Sequence, residues 1–430
     1  MPTLDYTTGS FKPHEPNPRA KQMIYFYRLI YFTLRVLLFV ISPVLPKSLQ
    51  LWIKLRREKL SQKNNFKNSY WFHASSGEIE YCKSVIRLLK TEDPKAHVVV
   101  TYSSPSAEKL FFNISQFVDE FIPLPWDQPF AIKRLIQYIQ PRVLVFARTD
   151  LWPELIYQVK KQRIPVGVIS YNPRLSSLNH FVNRHLLSQL DFISCLQEQI
   201  IPSLQLITRT KIIKADGDTR FDQVFFRLSQ EPKVKIANSS SDSAPLFICG
   251  STWAEDEAVL FPCFNFLIEN KFKIALCPHD VSSSNIARLR NDLEKYGWSY
   301  QLLSESQDLQ RVDISKNILL VDQVGYLADL YRFGSVAFVG GSFKDKVHSV
   351  MEPLCCGLPV AVGPFYHNNP EAVRYVGQSV IRIESPQELT GLIKNISTFD
   401  KEQILTEMQK NQNASQRALD TIKESIKTAF

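Results

Sequence analysis

The sequence predicts an α/β fold with two domains, each a parallel sheet covered by helices. The 430 residues exceed one ordinary core, since a domain usually holds about 100–200 residues. Short β-branched or apolar runs alternate with stretches of helical period, and such strand–helix–strand alternation is typical of parallel sheets. A polar, serine-rich stretch at 231–245 divides the alternation into two series, as a linker does.

The composition excludes several classes of protein. Hydrophobic residues make up 44% and charged residues 22% of the chain, which excludes a disordered chain, a collagen-like fibre and a polytopic membrane protein. The formal charge is +9, and residues 1–70 alone hold 12 Lys/Arg against 3 Asp/Glu. The rest of the chain is therefore neutral overall, so we expect no nucleic-acid partner but attraction to an anionic membrane surface.

An apolar segment at 24–45 is long enough to cross a bilayer as a helix. Arg28 and Arg35 lie seven residues apart on one face, and each costs about 2.5–3.5 kcal/mol near the bilayer centre. That cost favours a tilted or half-embedded anchor. The alternative is a buried core helix, whose arginines would need buried partners. A basic flank follows and predicts a body on the cytoplasmic side, comprising Lys47, Lys54, Arg56, Arg57 and Lys59.

The predicted organisation has five parts. They are a tail, anchor and basic flank at 1–60, a first Rossmann-like domain at 61–230, the linker at 231–245, a second such domain at 246–400, and a C-terminal helix at 401–430. The strands of the first domain are predicted at 70–74, 97–102, 142–147, 165–170, 192–196 and 212–215, with helices at 78–90, 129–139 and 151–162. Those of the second are predicted at 246–249, 273–277, 318–321, 336–339 and 359–362.

Glu78 follows the first predicted strand, where a general base facing a ligand would stand. Ser75 and Glu78 also form a capping-box pattern, in which Glu78 accepts the Ser75 backbone amide. From this stretch alone the capping role is favoured.

A diglycine, Gly340–Gly341, ends a strand of the second domain and predicts backbone amides that approach a phosphate. His348 and Glu352 follow at a predicted helix start, where Glu352 could accept hydrogen bonds from ribose hydroxyls.

Three further patterns predict structure rather than chemistry. The acids at 255–257 fit the first turn of a helix. Asp216–Gly217–Asp218 is too short to indicate a metal site. The seven cysteines, an odd number without a C-x-x-C pair, are expected to be buried thiols in a reducing compartment. We expect no bound metal and no cofactor.

Taken in order, eight segments resemble the 3-deoxy-manno-octulosonic acid (Kdo) transferases, which transfer Kdo from CMP-Kdo to a lipid A precursor, lipid IVA. The resemblance covers nearly the whole chain after residue 22. Its segments are the anchor with its basic flank, 73–78, 149–153, 172–176, 217–222, 250–252, 338–342, and His348 with Glu352–Pro353.

The resemblance implies the GT-B fold, with two Rossmann-like domains facing a cleft, and it makes Glu78 the general base of an inverting transfer. It places the donor at Ser251, Thr252, His279, Gly340, Gly341, Ser342, His348, Ser349 and Glu352. It places the acceptor at Ser76, Gly77, Thr149, Asp150 and Arg174.

The chain departs from the family pattern at three positions. Arg148 begins Arg-Thr-Asp where the family has Glu-Thr-Glu, His279 replaces an arginine that holds the donor phosphate, and Ser349 replaces an asparagine. Lys344 or Lys346 would then supply the missing positive charge. Two alternatives stay open, which are a GT-B transferase using another activated sugar and a non-catalytic paralogue that binds lipid.

Overall fold

A computed structural model describes residues 18–56, 66–173, 181–237 and 244–429. The chain divides into two compact units. The first comprises Met1–Gln223 together with Asn413–Phe430, and the second comprises Val224–Gln412.

The first unit contains a seven-stranded parallel sheet in the order β3-β2-β1-β4-β5-β6-β7. The strands are β1 Ser69–His73, β2 Val98–Tyr102, β3 Glu120–Pro123, β4 Pro141–Ala147, β5 Val166–Tyr171, β6 Phe192–Cys195 and β7 Ile212–Lys214. The helices described before the second unit's sheet are α1 Pro18–Ile41, α2 Lys47–Leu55, α3 Ile79–Glu92, α4 Pro129–Ile139, α5 Pro153–Lys161, α6 Phe181–Leu187, α7 Ile201–Ile207 and α8 Arg220–Ser229.

The second unit repeats this plan, with its parallel strands in the order β10-β11-β9-β8-β12-β13-β14. They are β8 Leu246–Thr252, β9 Lys273–Pro278, β10 Tyr300–Leu302, β11 Ile318–Leu320, β12 Val336–Val339, β13 Val360–Val362 and β14 Val380–Arg382. The helices that follow β8 in the chain are α9 Ala254–Glu269, α10 Ser283–Lys295, α11 Leu327–Leu330, α12 Met351–Cys355, α13 Pro370–Tyr375, α14 Pro386–Lys394, α15 Lys401–Gln409 and α16 Ala414–Ala429.

The two predicted parallel sheets are confirmed, and the three strands that the sequence missed among the described residues, β3, β10 and β14, are edge strands. The strands at the centre of each sheet are buried on both faces and read as apolar runs. The edge strands are short and carry polar residues such as Glu120, Gln301 and Arg382, so their pattern does not stand out from a loop.

The C-terminal segment differs from the single helix predicted over 401–430. It forms α15 and α16, separated at Asn413, which has a left-handed φ of 63°. Asp222 accepts hydrogen bonds from the backbone amides of Asn413 and Ser415 at 2.7 and 2.6 Å. Leu419 and Ile422 of α16 are buried in the core of the first unit, so α16 belongs to that unit.

The predicted linker, 231–245, lies within the second unit. Val234 is fully buried in the same apolar cluster as Leu246, and Ile236 pairs with Val312 in a parallel bridge. Residues 238–243 are outside the described part of the chain. All seven cysteines are buried and none is disulfide-bonded, in agreement with the prediction of buried thiols.

Helix α1 is long and apolar enough, by length and composition, to cross a membrane. Its apolar stretch, Gln22–Val44, has a mean hydropathy of 1.8, and only 6% of the most apolar window is buried. The outward side chains are large and apolar, including Phe26, Leu29 and Val40 at 67%, 65% and 68% exposure.

The inner face of α1 is polar and contacts the rest of the first unit. Arg28 pairs with Glu154, and the Tyr27 hydroxyl donates to Asp127 Oδ2 at 2.8 Å. Arg35 donates to the side chain of Gln128. The arginines therefore have partners, as the core-helix alternative required, although the opposite face of the helix is exposed.

An apolar cavity of about 660 Å³ lies between the first half of α1, the start of α5 and α6. Its walls include Ile24, Ile30, Pro153, Tyr157 and Leu186. Because Ile30 also belongs to the exposed face of α1, the cavity is continuous with that apolar surface.

Candidate active site

Glu78 lies in a short 3-10 turn, Ser76–Glu78, that joins β1 to α3 and also contains the predicted acceptor residues Ser76 and Gly77. The turn is closed by a 2.9 Å hydrogen bond from the Glu78 amide to the Ser75 carbonyl. Because β1 is central in its sheet, the turn places a half-buried carboxylate at the carboxyl end of the sheet.

The environment of Glu78 raises the pKa of its carboxyl to about 7. Burial is the main cause, and the negative charge of Asp150 adds to it. Arg148 and the backbone amides of Thr149 and Ser75 act in the opposite direction and limit the shift. A carboxyl with a pKa near 7 is divided between its two protonation states at neutral pH, which suits a general base.

A capping role and a general-base role for Glu78 are compatible in the structure. The Ser75 backbone amide acts on the Glu78 carboxyl and lowers its pKa, although α3 begins at Ile79 without a side-chain capping bond. Its Oε2 atom is buried and has no hydrogen-bond partner among the described residues. This oxygen therefore has unused accepting capacity, and an unused buried acceptor needs an explanation.

Asp150, predicted in the acceptor site, is a fixed negative charge beside Glu78. Burial alone would raise its pKa, but hydrogen bonds and charge from His73 and a hydrogen bond from Ser103 outweigh it and lower the pKa to about 2. His73 Nε2 and Ser103 Oγ each lie 3.1 Å from Asp150 Oδ2. The other His73 nitrogen is 2.8 Å from the Thr101 hydroxyl, which orients the ring.

Arg148 is a site residue to which the sequence assigned no role, although its departure from the family pattern marked the position. It has a left-handed φ of 58° directly after β4, and its guanidinium lies 5.0 Å from the Tyr81 ring centre. Arg220 lies 4.4 Å from the same ring. Arg148 Nη1 is buried without a hydrogen-bond partner among the described residues, so a cation stands beside the Glu78 carboxylate.

The Asp216–Gly217–Asp218 pattern is used structurally. Arg220 donates from Nε and Nη2 to both oxygens of Asp218, with contacts of 2.6–3.2 Å. The hydroxyl of Thr219 donates to the Tyr81 carbonyl at 2.6 Å. This segment therefore holds Arg220 and the α3 backbone in place around the Glu78 group. Arg174, another predicted acceptor residue, lies outside the described residues.

In the second unit, the diglycine turn differs from the predicted phosphate cradle. The Gly340 amide donates to the Gly250 carbonyl at 2.8 Å and the Gly341 amide to Asp256 Oδ2 at 2.7 Å. Both amides are thus already engaged within the protein. Glycine is required for another reason, because a Cβ at either position would collide with the backbone of Ser251 or Lys346.

Asp256 organises this turn, which the sequence did not reveal. It also accepts from the amides of Trp253 and Phe343, at 2.9 and 3.0 Å. The sequence indicated only an acid in the first turn of a helix. Its role depends on the diglycine, 85 residues away.

A stack of three rings lies beside the diglycine. His279 is 4.7 Å from Trp253 and 4.4 Å from His348, ring centre to ring centre. Lys344 Nζ lies 3.4 Å above the Trp253 ring. Trp253 and Lys344 thus join the predicted His279 and His348 in one cluster, and a tryptophan directly after Gly250–Ser251–Thr252 was the available signal.

The two histidines of this cluster carry little charge at neutral pH. Burial and the neighbouring His279 and Lys346 lower the pKa of His348 to about 4, and burial also lowers the pKa of His279. The positive charge of the cluster therefore comes from Lys344 and Lys346, both exposed.

The remaining residues predicted to bind the sugar donor have different roles in the structure. The Thr252 hydroxyl donates to Glu257, and the Ser342 hydroxyl donates to the Val339 carbonyl, so both are used internally. Ser349 donates to the Glu352 carboxylate at the start of α12. Ser251 adopts a left-handed φ of 56° at the end of β8, next to the ring stack in sequence.

Known proteins with sequences similar to this chain include 3-deoxy-D-manno-octulosonic acid transferases. Residues 52–223 match the family described as 3-Deoxy-D-manno-octulosonic-acid transferase (kdotransferase). The 3-deoxy-D-manno-octulosonic acid transferase of Aquifex aeolicus is 24% identical over 308 residues, covering 70% of this chain and 78% of the relative. That of Haemophilus influenzae is 24% identical over 379 residues, covering 82% and 86%.

Solved structures with a similar fold include a UDP-GlcNAc 2-epimerase from Neisseria meningitidis bound to UDP-GlcNAc. It has a TM-score of 0.58 at 16% identity and covers 83% of this chain and 100% of its own. MurG of Acinetobacter baumannii has a TM-score of 0.50 at 12% identity, covering 83% and 99%. At such identities the likeness concerns the fold alone, and it confirms the predicted GT-B fold.

Proposed function

We propose that this chain, which is similar to the Kdo transferases, transfers Kdo from CMP-Kdo to a sugar hydroxyl of a lipid A precursor, lipid IVA. The observation that carries this proposal is Glu78, whose carboxyl has a pKa of about 7 and whose Oε2 is buried without a hydrogen-bond partner among the described residues. Such a group can take a proton from a hydroxyl at neutral pH.

In the proposed reaction, Glu78 removes the proton of the acceptor hydroxyl as its oxygen attacks the anomeric carbon of Kdo. The bond from that carbon to the CMP phosphate breaks, and CMP leaves with the electron pair. One base is sufficient because inversion needs no covalent intermediate, and no cofactor is part of the proposal. Arg148, beside Glu78, would stabilise the ionised base before the attack.

The donor is proposed to bind at the ring stack of the second unit. Lys344 and Lys346 would neutralise the CMP phosphate, and Glu352 would accept hydrogen bonds from the ribose hydroxyls. The aromatic faces of Trp253 and His279 offer a stacking surface. His279 would contribute an N–H donor rather than a positive charge, since its pKa is lowered.

The acceptor is proposed to approach from a membrane. The apolar outer face of α1 would lie among lipid chains at the cytoplasmic surface of the inner membrane, with the arginines kept on the protein side by their partners. An acyl chain of the acceptor would fit the apolar cavity beside α1. Pro153 in the cavity wall is three residues after Asp150, so their Cα atoms are at most about 11 Å apart.

Incubating the purified full chain with CMP-Kdo and lipid IVA tests the proposal. Formation of Kdo-lipid with release of CMP is the expected result, and Glu78→Gln is the control that should not form it. Failure with CMP-Kdo but transfer from another activated sugar would favour the other GT-B transferase. Lack of CMP binding, measured by calorimetry, would favour the non-catalytic paralogue.

Removing residues 1–45 tests the membrane attachment separately. Much of the truncated chain should leave the membrane fraction and stay active on a water-soluble, deacylated acceptor. Because the deletion also removes the Arg28–Glu154 pair, circular dichroism checks that the truncated chain is folded. A soluble full-length chain would contradict the attachment without affecting the sugar chemistry.

A further inference from the structure

A second cavity, of about 450 Å³, lies between α1, α2 and the segment that precedes α4. Its walls are formed by Arg35, Phe39, Ile53, Arg56 and Trp126. None of these residues belongs to the Glu78 group or to the ring stack. Phe39 is 61% exposed on the outer face of α1, so the cavity borders the apolar surface of that helix.

Arg56 is the unusual feature of this cavity. Its side chain is only 2% exposed, and its guanidinium lies 4.2 Å from the Trp52 ring centre and 4.5 Å from that of Trp152. Nη1 donates to the Pro125 carbonyl at 3.2 Å. Nε and Nη2 are buried and have no hydrogen-bond partner within the described part of the chain.

Two other arginines of the first unit show what the edge of a guanidinium formed by Nε and Nη2 binds. Arg28 presents Nε and Nη2 to the Glu154 carboxylate, and Arg220 presents the same two atoms to Asp218. A guanidinium edge matches a carboxylate or phosphate with two parallel hydrogen bonds. In Arg56 that edge has no acid among the described residues.

The two carboxylates whose charges act on Arg56, those of Asp127 and Asp150, have other hydrogen-bond partners. Asp127 accepts from the Tyr27 hydroxyl and from the amides of Glu154 and Leu155, and Asp150 accepts from His73 and Ser103. Burying a cation without a hydrogen-bonded counterion is costly. An anion in the cavity would complete the hydrogen bonding of Arg56, and Arg35 would add a second positive charge.

We propose that this cavity binds the phosphate of an anionic membrane lipid. The phosphate would accept from Nε and Nη2 of Arg56, while the lipid chains would lie along the exposed apolar face of α1, beside Phe39. A volume of about 450 Å³ is within the range of small-ligand pockets, about 300–1,000 Å³. The inference rests on the proposed membrane attachment but not on the sugar chemistry.

Vesicle binding of the full chain tests this inference. Vesicles of phosphatidylcholine alone are compared with vesicles that also contain phosphatidylglycerol, using wild type, Arg56→Gln and the matched control Lys54→Gln. Lys54 lies in α2, two residues before Arg56, and its substitution removes the same charge, but Lys54 is exposed. At 1 M salt, where the Debye length is about 3 Å, the effect of Lys54→Gln should vanish.

The effect of Arg56→Gln should persist at high salt, as a loss of about tenfold in affinity for vesicles with phosphatidylglycerol. Equal losses for the two variants at every salt concentration would overturn the site and indicate general attraction to anionic surfaces. Because Arg56→Gln could weaken the fold, Arg35→Gln provides a second variant in the same cavity, and circular dichroism checks both. A folded Arg35→Gln with undiminished binding would also contradict the proposal.

Two further measurements identify the ligand. Native mass spectrometry of the wild type should retain phosphatidylglycerol in preference to phosphatidylcholine, and Arg56→Gln should lose that preference. Inorganic phosphate alone should not raise the melting temperature. If it does so in an Arg56-dependent way while lipid has no effect, the site takes free phosphate and the lipid assignment is wrong. Lipid binding without Kdo transfer would refute only the proposed function.

Discussion

Arg28 donates two hydrogen bonds, 2.7 and 2.8 Å long, to the carboxylate of Glu154, which lies 126 residues further along the chain. Glu154 is fully buried, and it begins the helix that follows the Asp150 segment of the candidate site. The helix expected to contact the membrane is therefore fastened by its polar face to the element next to the predicted acceptor residues.

Breaking this pair should destabilise the protein. Arg28→Ala leaves the buried Glu154 carboxylate with the Gln158 amide, 2.6 Å away, as its side-chain partner among the described residues, and removing one partner of a buried ion pair costs roughly 3 kcal/mol. Guanidinium chloride unfolding measures the change. The exposed Lys47→Ala should alter stability by less than about 0.5 kcal/mol. A similarly small effect for Arg28→Ala would mean that α1 does not depend on this pair.

Replacing the proposed base should abolish transfer. Glu78→Gln keeps much of the shape of the turn but cannot accept the proton, so kcat should fall by about 10²–10⁴. Glu80→Gln is the matched control, since Glu80 lies two residues after Glu78 and pairs with Lys83. A Glu78→Gln enzyme within a few-fold of wild type would leave Glu78 with the capping role alone.

The same variant has a stability signature that checks its folding. The pKa of Glu78 is raised in the folded state to about 7 from its ordinary 4.5, so the folded protein binds this proton more tightly than the unfolded chain does. Its contribution to stability is present below pH 4.5 and is lost as the pH rises to about 7. Glu78→Gln should therefore be more stable than wild type at pH 8.

Arg148 should set the pH dependence of the reaction. Wild-type activity should fall as the pH drops below about 7, because the base becomes protonated. Arg148 lowers the pKa of Glu78, so Arg148→Ala should move this acidic limb to higher pH. Arg142→Ala, at the other end of the same strand, is the control. An unchanged pH–rate profile in Arg148→Ala would show that its charge does not tune the base.

Asp256 should be essential for the diglycine turn. Asp256→Ala removes the acceptor of three backbone amides, and each unsatisfied buried donor costs about 1–3 kcal/mol. We expect a loss of at least about 3 kcal/mol, measured by chemical unfolding. Glu255→Ala, an exposed acid of the same helical turn, should have little effect. Equal stability of the two variants would refute the role of Asp256.

The charge near the ring stack should control donor affinity. Lys344→Gln should weaken CMP binding, since it removes one of the two charges of the cluster. His279→Arg should strengthen it, because the pKa of His279 is lowered and the imidazole contributes little charge at pH 7. Calorimetric titration measures both, with the distant Lys316→Gln as control. If Lys344→Gln and His279→Arg bind CMP as tightly as the control does, the CMP phosphate does not bind at this cluster.

Much of the candidate site was predictable because it depends on strand ends. A buried strand followed by a turn locates Glu78 and Asp150 at one edge of a parallel sheet, whatever the rest of the chain does. Arg148 was visible as a departure from the family pattern, but its contact with Tyr81 was not. That contact depends on the packing of α3 against the end of β4, which local periodicity does not encode.

The sequence by itself determined the two parallel sheets and the apolar N-terminal helix, because both follow from local hydrophobic period and strand order. Only the tertiary structure decided which partners the charged groups have. Asp256 holds a turn 85 residues away, Asp222 fixes the start of α16 after 191 residues, and Arg28 reaches Glu154 after 126. The partners of charged side chains depend on distances and geometry in the folded chain, and the local pattern of a sequence encodes neither of them.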